Sequence, residues 1–197
     1  MKVITTLNLG IMEEITKNLS RRWSINELSK KINKHYRPVY AATQSLIKEG
    51  FLVKNQNKLI EPVFKNTLML ELAERQRIIK HNNKEIKIIK EKLSRLKTVF
   101  FSAVLFGSSV NKNGKDIDIL IIIPDSGEIS NFQKQVEVKL GSFSSKVDLN
   151  IISEESCYEM LNNPNQLNVM NEIMKNHLVL YGEEGFYNIL HRWKDGR

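Results

Sequence analysis

The stretch from Val99 to Ile123, VFFSAVLFGSSVNKNGKDIDILIII, constrains this chain more than any other. Two apolar runs of strand length flank a short polar loop, a pattern that suits neighbouring strands inside a sheet. The loop opens with Gly107-Ser108 and closes with Asp116-Ile117-Asp118. Strand alternation puts Asp116 and Asp118 on one face, about 6.5 Å apart along the chain. Two neighbouring carboxylates repel, and the apolar run Ile119–Ile123 gives them no solvation. Such a pair is costly unless a cation sits between them. The stretch therefore reads as a divalent-metal site beside a Gly-Ser turn. It is not a P-loop: the spacing from Gly107 to Gly114-Lys115 is too long, and Asp116 stands where Ser or Thr should be.

Charge divides the chain. Its net charge is +8, but residues 1–62 carry +6, residues 63–98 carry +6 and residues 99–197 carry −4. A basic front suggests a polyanionic partner, and an acidic back suggests cations. With 41% hydrophobic residues over 197 positions, the chain can bury a core. No apolar run is long enough to cross a bilayer. The start, MKVITTLNLGIMEEI, lacks a signal-peptide core. A single cysteine, Cys157, excludes an internal disulfide, and His35, His81, His177 and His191 lack metal-ligand spacing. A cytoplasmic protein without a membrane partner is expected.

In chain order, LGIMEEITKNL (9–19) has helical spacing, and Ser24 with Glu27 forms a Ser-x-x-Glu capping box ahead of INELSKKI. The next helix is expected from Pro38, as first helical residue, to Glu49, with Gly50 as its left-handed cap. Val39, Ala42, Thr43 and Leu46 form its inner stripe, leaving Arg37, Tyr40, Ala41, Gln44 and Lys48 outward. FLVK and KLIE then read as a hairpin around a polar turn. The segments SINELSKKI, RPVYAATQSLIKEG and FLVKNQNKLIE resemble the winged helix-turn-helix family over residues 3–62. The resemblance implies a helix in the DNA major groove and a wing on backbone phosphates. Carried onto this chain, Arg37, Tyr40, Gln44 and Lys48 become candidate DNA contacts on the helix, and Lys54 and Lys58 on the wing.

From Thr67 to Lys97 neither proline nor glycine interrupts a helical pattern. Leu72, Ile79, Ile86 and Leu93 recur every seven residues, with Leu68, Ile89 and Leu96 at companion positions and Arg75 and Asn82 interrupting them. The spacing predicts one long connecting helix over 65–97. Its stripe suits either pairing with a second copy in a homodimer or packing on the domains it joins. Later segments read as a helix over 131–140, a strand Lys146–Ile152 carrying Asp148, a helix capped by Ser153, a helix to about Lys175, the strand HLVLYG, and a final helix Glu184–Lys194.

LFGSS…DIDILIII, with VDLNII some thirty residues later, resembles the polymerase-beta nucleotidyltransferase superfamily, nearest to its minimal nucleotidyltransferases, over residues 88–185. The resemblance implies two Mg²⁺ ions about 3.5–4 Å apart, held by Asp116, Asp118 and Asp148, with an NTP, expected to be ATP, as substrate. In such a site Asp148 also helps deprotonate the attacking hydroxyl, Gly107 lets the backbone approach the phosphates, and Ser108 donates to the β- and γ-phosphates. Ser109 and Val110 follow the Gly-Ser pair where the family often has arginine, and the loop to Asp116 is shorter than usual. Lys112 and Lys115 are the cations available for the triphosphate.

The expected architecture is α+β: residues 1–64 a winged helix-turn-helix domain, 65–97 a connecting helix, and 98–197 a nucleotidyltransferase mixed sheet with flanking helices. The expected function is transfer of a nucleoside monophosphate, AMP by expectation, from Mg-NTP to a hydroxyl of a macromolecular acceptor, with DNA held by the winged helix. The alternative is a DNA-binding regulator or antitoxin whose nucleotidyltransferase-like domain senses nucleotide or holds a partner protein such as a small helical toxin.

Overall fold

A computed structural model describes residues 4–96, 100–111, 116–125, 129–141 and 147–196. Among the described residues the fold is α+β, with nine α-helices and two small sheets. Among those residues no helix is long and apolar enough to cross a membrane.

The first three helices are α1 (Thr6–Thr16), α2 (Ile25–Lys31) and α3 (Tyr36–Lys48). Thr5 caps α1, its side chain accepting from the Asn8 amide. At α2 the expected capping box is complete: Ser24 Oγ accepts from the Glu27 amide, and the Glu27 carboxylate accepts from the Ser24 amide and hydroxyl. These bonds hold the Glu27 carboxyl below the usual glutamate range, the Ser24 backbone bond foremost. Ser24→Ala should therefore lower unfolding stability by about 1 kcal/mol, read as a shifted urea midpoint with an unchanged slope.

Helix α3 buries Val39, Ala42, Thr43 and Leu46, the stripe read from spacing. It starts two residues before Pro38, so the proline stands third in the helix rather than first. The position is tolerated because amides in the first turn have no intrahelical partner to lose. Gly50 takes a positive φ of 76° after the helix. Strands β1 (Leu52–Lys54) and β2 (Ile60–Pro62) pair antiparallel, and Trp23 bridges to Ile60 along the other edge of β2. Asn55 shapes the turn between them, its Oδ1 accepting from the Leu59 amide, while Lys58 adopts φ 62°.

The expected single connecting helix is two helices, α4 (Leu68–Lys80) and α5 (Lys84–Ser94). The break falls at His81-Asn82-Asn83. Asn83 Oδ1 accepts from the Glu85 amide to start α5, and Lys87 Nζ donates back to Ile79 O at the end of α4. The sevenfold stripe does not form one seam. Ile79 is 63% exposed, whereas Ile86, Ile89 and Leu93 are fully buried. Asparagine supplies a cap within its own side chain, so two in a row can end one helix and begin the next.

The second sheet has the order β5-β4-β3-β6. Strand β3 (Ser102–Phe106) is central and antiparallel to both β4 (Ile117–Ile123) and β6 (Leu178–Tyr181). Strand β5 (Val147–Ser153) runs parallel to β4. Alternation divides the sheet into two apolar faces. Ala103, Leu105, Ile119 and Ile121 pack with Ile86, Ile89 and Leu93 of α5 and with Phe132 and Val136 of α6 (Ile129–Leu140). Val104, Phe106, Leu120 and Ile122 face the other way, onto α7 (Glu154–Asn162), α8 (Val169–Lys175) and α9 (Glu183–Asp195). The same cluster continues without interruption into Ile11, Met12, Leu28 and Leu46 of the first three helices and Met69 of α4. One core therefore runs through the N-terminal helices and one side of the sheet.

Helix α4 carries a buried polar brace inside that core. Glu74 accepts from the Val179 amide, the Tyr187 hydroxyl and, at 2.6 Å, from Arg77. Arg77 also donates to the carbonyls of Thr16 on α1 and of His177 before β6. At the surface, Glu61 of β2 pairs with Arg22 and with Lys194 of α9, whose ammonium also lies over the Phe64 ring.

Candidate functional site

The acidic site lies at one end of the sheet, on the face shared with α8. In the antiparallel pair Phe106 is opposite Asp118, and in the parallel pair Asp118 is opposite Asp148. Paired residues point to the same side, so the Asp118 and Asp148 carboxylates sit beside one another. Asp116 lies two residues before Asp118, just outside the strand, and is exposed like Asp148. Burial pushes the Asp118 carboxyl above the usual aspartate range, and the negative charges of Asp148, Asp116 and Glu172 push it further the same way. The charges of the other two aspartates thus reach Asp118, but the expected metal-holding group of Asp116, Asp118 and Asp148 is not formed among the described residues. Glu172, on α8, is a fourth acidic neighbour that sequence spacing did not reveal.

Strand β3 leads straight into a 3₁₀ turn, Gly107–Asn111. Gly107 has φ 71°, a conformation glycine adopts without strain. A β-carbon there would run into the Asp118 carboxylate. The absent side chain is what lets the turn lie against the acidic strand. The two serines that follow divide: Ser109 is buried, with its hydroxyl toward Phe106 O, and Ser108 is exposed. Ser108 is thus the hydroxyl presented outward. Lys112 and Lys115, the expected cations for a triphosphate, lie outside the described residues. Gly107→Ala should cost both stability and the site's geometry, lowering the melting temperature and removing any Mg²⁺-induced rise in it; a thermal melt with and without Mg²⁺ measures both.

The donor set suits magnesium. Carboxylate oxygens are hard ligands, and a divalent cation beside Asp118 would relieve the repulsion that its acidic neighbours exert. Among the described residues no three His, Cys, Asp or Glu side chains close into a ready-made metal cluster. Magnesium needs none, since one or two carboxylates, waters and substrate phosphates usually complete its octahedron. The remaining nucleophile, Cys157, is buried, and its thiol is pushed up to about 12 by burial and then by Glu154. It stays protonated at neutral pH and takes no part.

Helix α3 and the β1–β2 hairpin present the other set of predicted residues. Arg37, Tyr40, Lys48, Lys54 and Lys58 are exposed and Gln44 half-buried. Tyr36, unmarked in the sequence reading, is exposed beside Tyr40 with ring centroids 5.9 Å apart. The earlier start of α3 is what adds it to that face. Comparison of the chain with family models, with curated proteins and with solved structures returned no significant match.

Proposed function

We propose that this chain is a nucleotidyltransferase of the polymerase-beta type fused to a DNA-binding winged helix, and that it transfers AMP from MgATP to a hydroxyl of a macromolecular acceptor. The observation that carries the reading is Asp118, paired in register with Asp148 and packed against a glycine that leaves room for its carboxylate alone. In the transfer, an acceptor oxygen forms a bond to the α-phosphorus, the bond to the β-phosphate bridging oxygen breaks, and pyrophosphate leaves. Magnesium held by Asp116, Asp118 and Asp148 would neutralise the phosphate oxygens and align the attacking and leaving groups. Asp148, the most open of the paired carboxylates, accepts the proton of the acceptor hydroxyl. Ser108 donates its hydroxyl to the β- and γ-phosphates, and the Gly107 backbone permits their close approach.

Incubating the protein with labelled NTPs, Mg²⁺ and candidate acceptors tests the reading, with Asp116→Ala/Asp118→Ala as control. Equal labelling by both proteins sinks it.

The DNA half of the reading rests on the exposed cations of α3 and the hairpin. Lys54→Ala/Lys58→Ala should weaken duplex binding uniformly across sequences and flatten the plot of log affinity against log salt by about two phosphate contacts. Gel shifts across a salt series report both effects.

A second reading, a DNA-binding regulator or antitoxin, is favoured by one feature: the exposed Arg37, Lys48, Lys54 and Lys58 of α3 and the hairpin lie in the basic front of the chain, apart in sequence from the aspartates. In that reading duplex binding is tight and indifferent to the aspartate substitutions, and no acceptor is labelled. The sheet domain then senses nucleotide or holds a partner protein.

A further inference from the structure

The joint between α4 and α5 is aimed at the candidate nucleotide turn. His81 ends α4 in an extended conformation and is buried. Its Nε2 lies 3.3 Å from the Val110 carbonyl, inside the Gly107–Asn111 turn. The Asn83 amide donates to His81 Nδ1 at 3.4 Å. An imidazole whose Nδ1 accepts must carry its proton on Nε2 when neutral, so Nε2–H is the donor to Val110 O. The helix break thus has a geometric result that a continuous helix could not give. It ends α4 at His81, which reaches across 29 positions of sequence to the turn.

The base from which His81 reaches is fixed on both sides. One residue before it, Lys80 pairs with Glu13 of α1 at 2.6 Å. One turn earlier, Arg77 donates to Thr16 O and His177 O. Neither the N-terminal helices nor the sheet can shift without moving this end of α4.

We infer that His81 is a positioning residue for the candidate nucleotide site: its Nε2–H holds the Val110 carbonyl, and so fixes the Gly107–Asn111 turn in the shape that receives the triphosphate. The inference deepens the nucleotidyltransferase reading and rests on it. His81 acts through the turn, by its contact with the Val110 carbonyl. Its loss therefore falls on nucleotide affinity. Asp118 and Asp148 keep their places because the register of β4 with β3 and β5 holds them independently.

Three measurements on the full chain test this. Nitrogen-15 spectra of the wild type should show His81 as the Nε2–H tautomer; the Nδ1–H tautomer overturns the inference without any substitution. Hydrogen exchange should then show the amides of Gly107–Asn111 exchanging about tenfold faster in His81→Leu than in the wild type, the effect of losing one buried hydrogen bond. In His81→Gln, whose amide can still reach Val110 O, protection should return. Calorimetry with Mg²⁺ and a non-hydrolysable ATP analogue should show affinity falling about tenfold in His81→Leu and recovering in His81→Gln. Unchanged turn protection in His81→Leu overturns the inference, as does a loosened turn with undiminished affinity. Failure of the wild type to bind the analogue is a different result. It removes the nucleotide reading, and with it a role for His81 in nucleotide binding, while the exchange data still report whether the turn is held.

Discussion

Asp118→Asn should reduce Mg²⁺-dependent nucleotidyl transfer by about a thousandfold or more, the scale expected when charge stabilisation of a phosphoryl transition state is removed. The same substitution should make the metal-free protein more stable. The two effects have one cause. Asp118 sits beside Asp148 and near Asp116 and Glu172, and burial and these charges together hold its carboxyl above the usual aspartate range. A carboxyl with a raised folded pKa favours the fold fully only while protonated, below its unfolded value. That contribution is lost as pH rises through the folded value. At neutral pH the ionised wild type therefore bears a repulsion that asparagine, of the same shape, does not. The expected melts are specific. Without metal, Asp118→Asn melts above the wild type at pH 7, and the gap closes as pH falls into the carboxylate range. With millimolar Mg²⁺ the wild type rises and the variant does not. A variant that melts lower at pH 7, or that still responds to Mg²⁺ as the wild type does, would show that Asp118 is not part of a metal-compensated cluster.

Much of this site is legible from local patterns. The two apolar runs around Gly107-Ser108 and Asp116-x-Asp118 become β3 and β4, and alternation with period two gives the face each aspartate takes, while the parallel register of β4 with β5 sets Asp148 opposite Asp118. The α3 stripe and the Ser24 box are equally local: a 3.6-residue period and a three-residue reach need no knowledge of the rest of the fold. What escapes is whatever depends on contacts between distant segments. Glu172 reaches the site from α8, more than fifty residues beyond Asp118, and nothing in its neighbours marks it. The break at His81–Asn83 escapes for another reason. Leu72, Ile79, Ile86 and Leu93 keep a sevenfold spacing across it, yet Ile79 faces outward while Ile86 and Leu93 enter the core on the far side of the sheet. Periodicity records which residues are apolar, not whether they share a partner. The Asn82-Asn83 pair was the available sign, since asparagine competes with the helical backbone and favours caps.

The brace between the N-terminal helices and the sheet escapes most completely, and its removal should have the largest effect on stability. Glutamate and arginine inside a charged helix read as solvated, because both are almost never fully buried unless paired. Here Glu74 is fully buried and Arg77 nearly so. Burial pushes the Glu74 carboxyl up, but the Arg77 charge, His177 and the Val179 amide outweigh it and hold it below the usual glutamate range. Arg77→Met keeps much of the side-chain volume and leaves Glu74 buried without the guanidinium that pairs with it. Stranding one partner of a buried pair costs about 3–5 kcal/mol, a large fraction of the stability of an ordinary domain. Urea unfolding should show that loss as a lower midpoint for the whole chain, because Arg77 ties Thr16 of α1 to His177 at the start of β6 and one core spans both. Glu74→Gln/Arg77→Met removes both charges together and should recover part of the loss, the gain measuring how much of the single-variant effect was the stranded carboxylate. The pH dependence has the opposite sign to that of Asp118. A lowered folded pKa gives Glu74 a contribution that is complete above the unfolded glutamate value and lost as pH falls through the folded one. Wild-type stability should therefore decline in acid more steeply than that of the double variant. If Arg77→Met unfolds within about 0.5 kcal/mol of the wild type, the ordinary range for a surface substitution, the brace does not hold the two parts together.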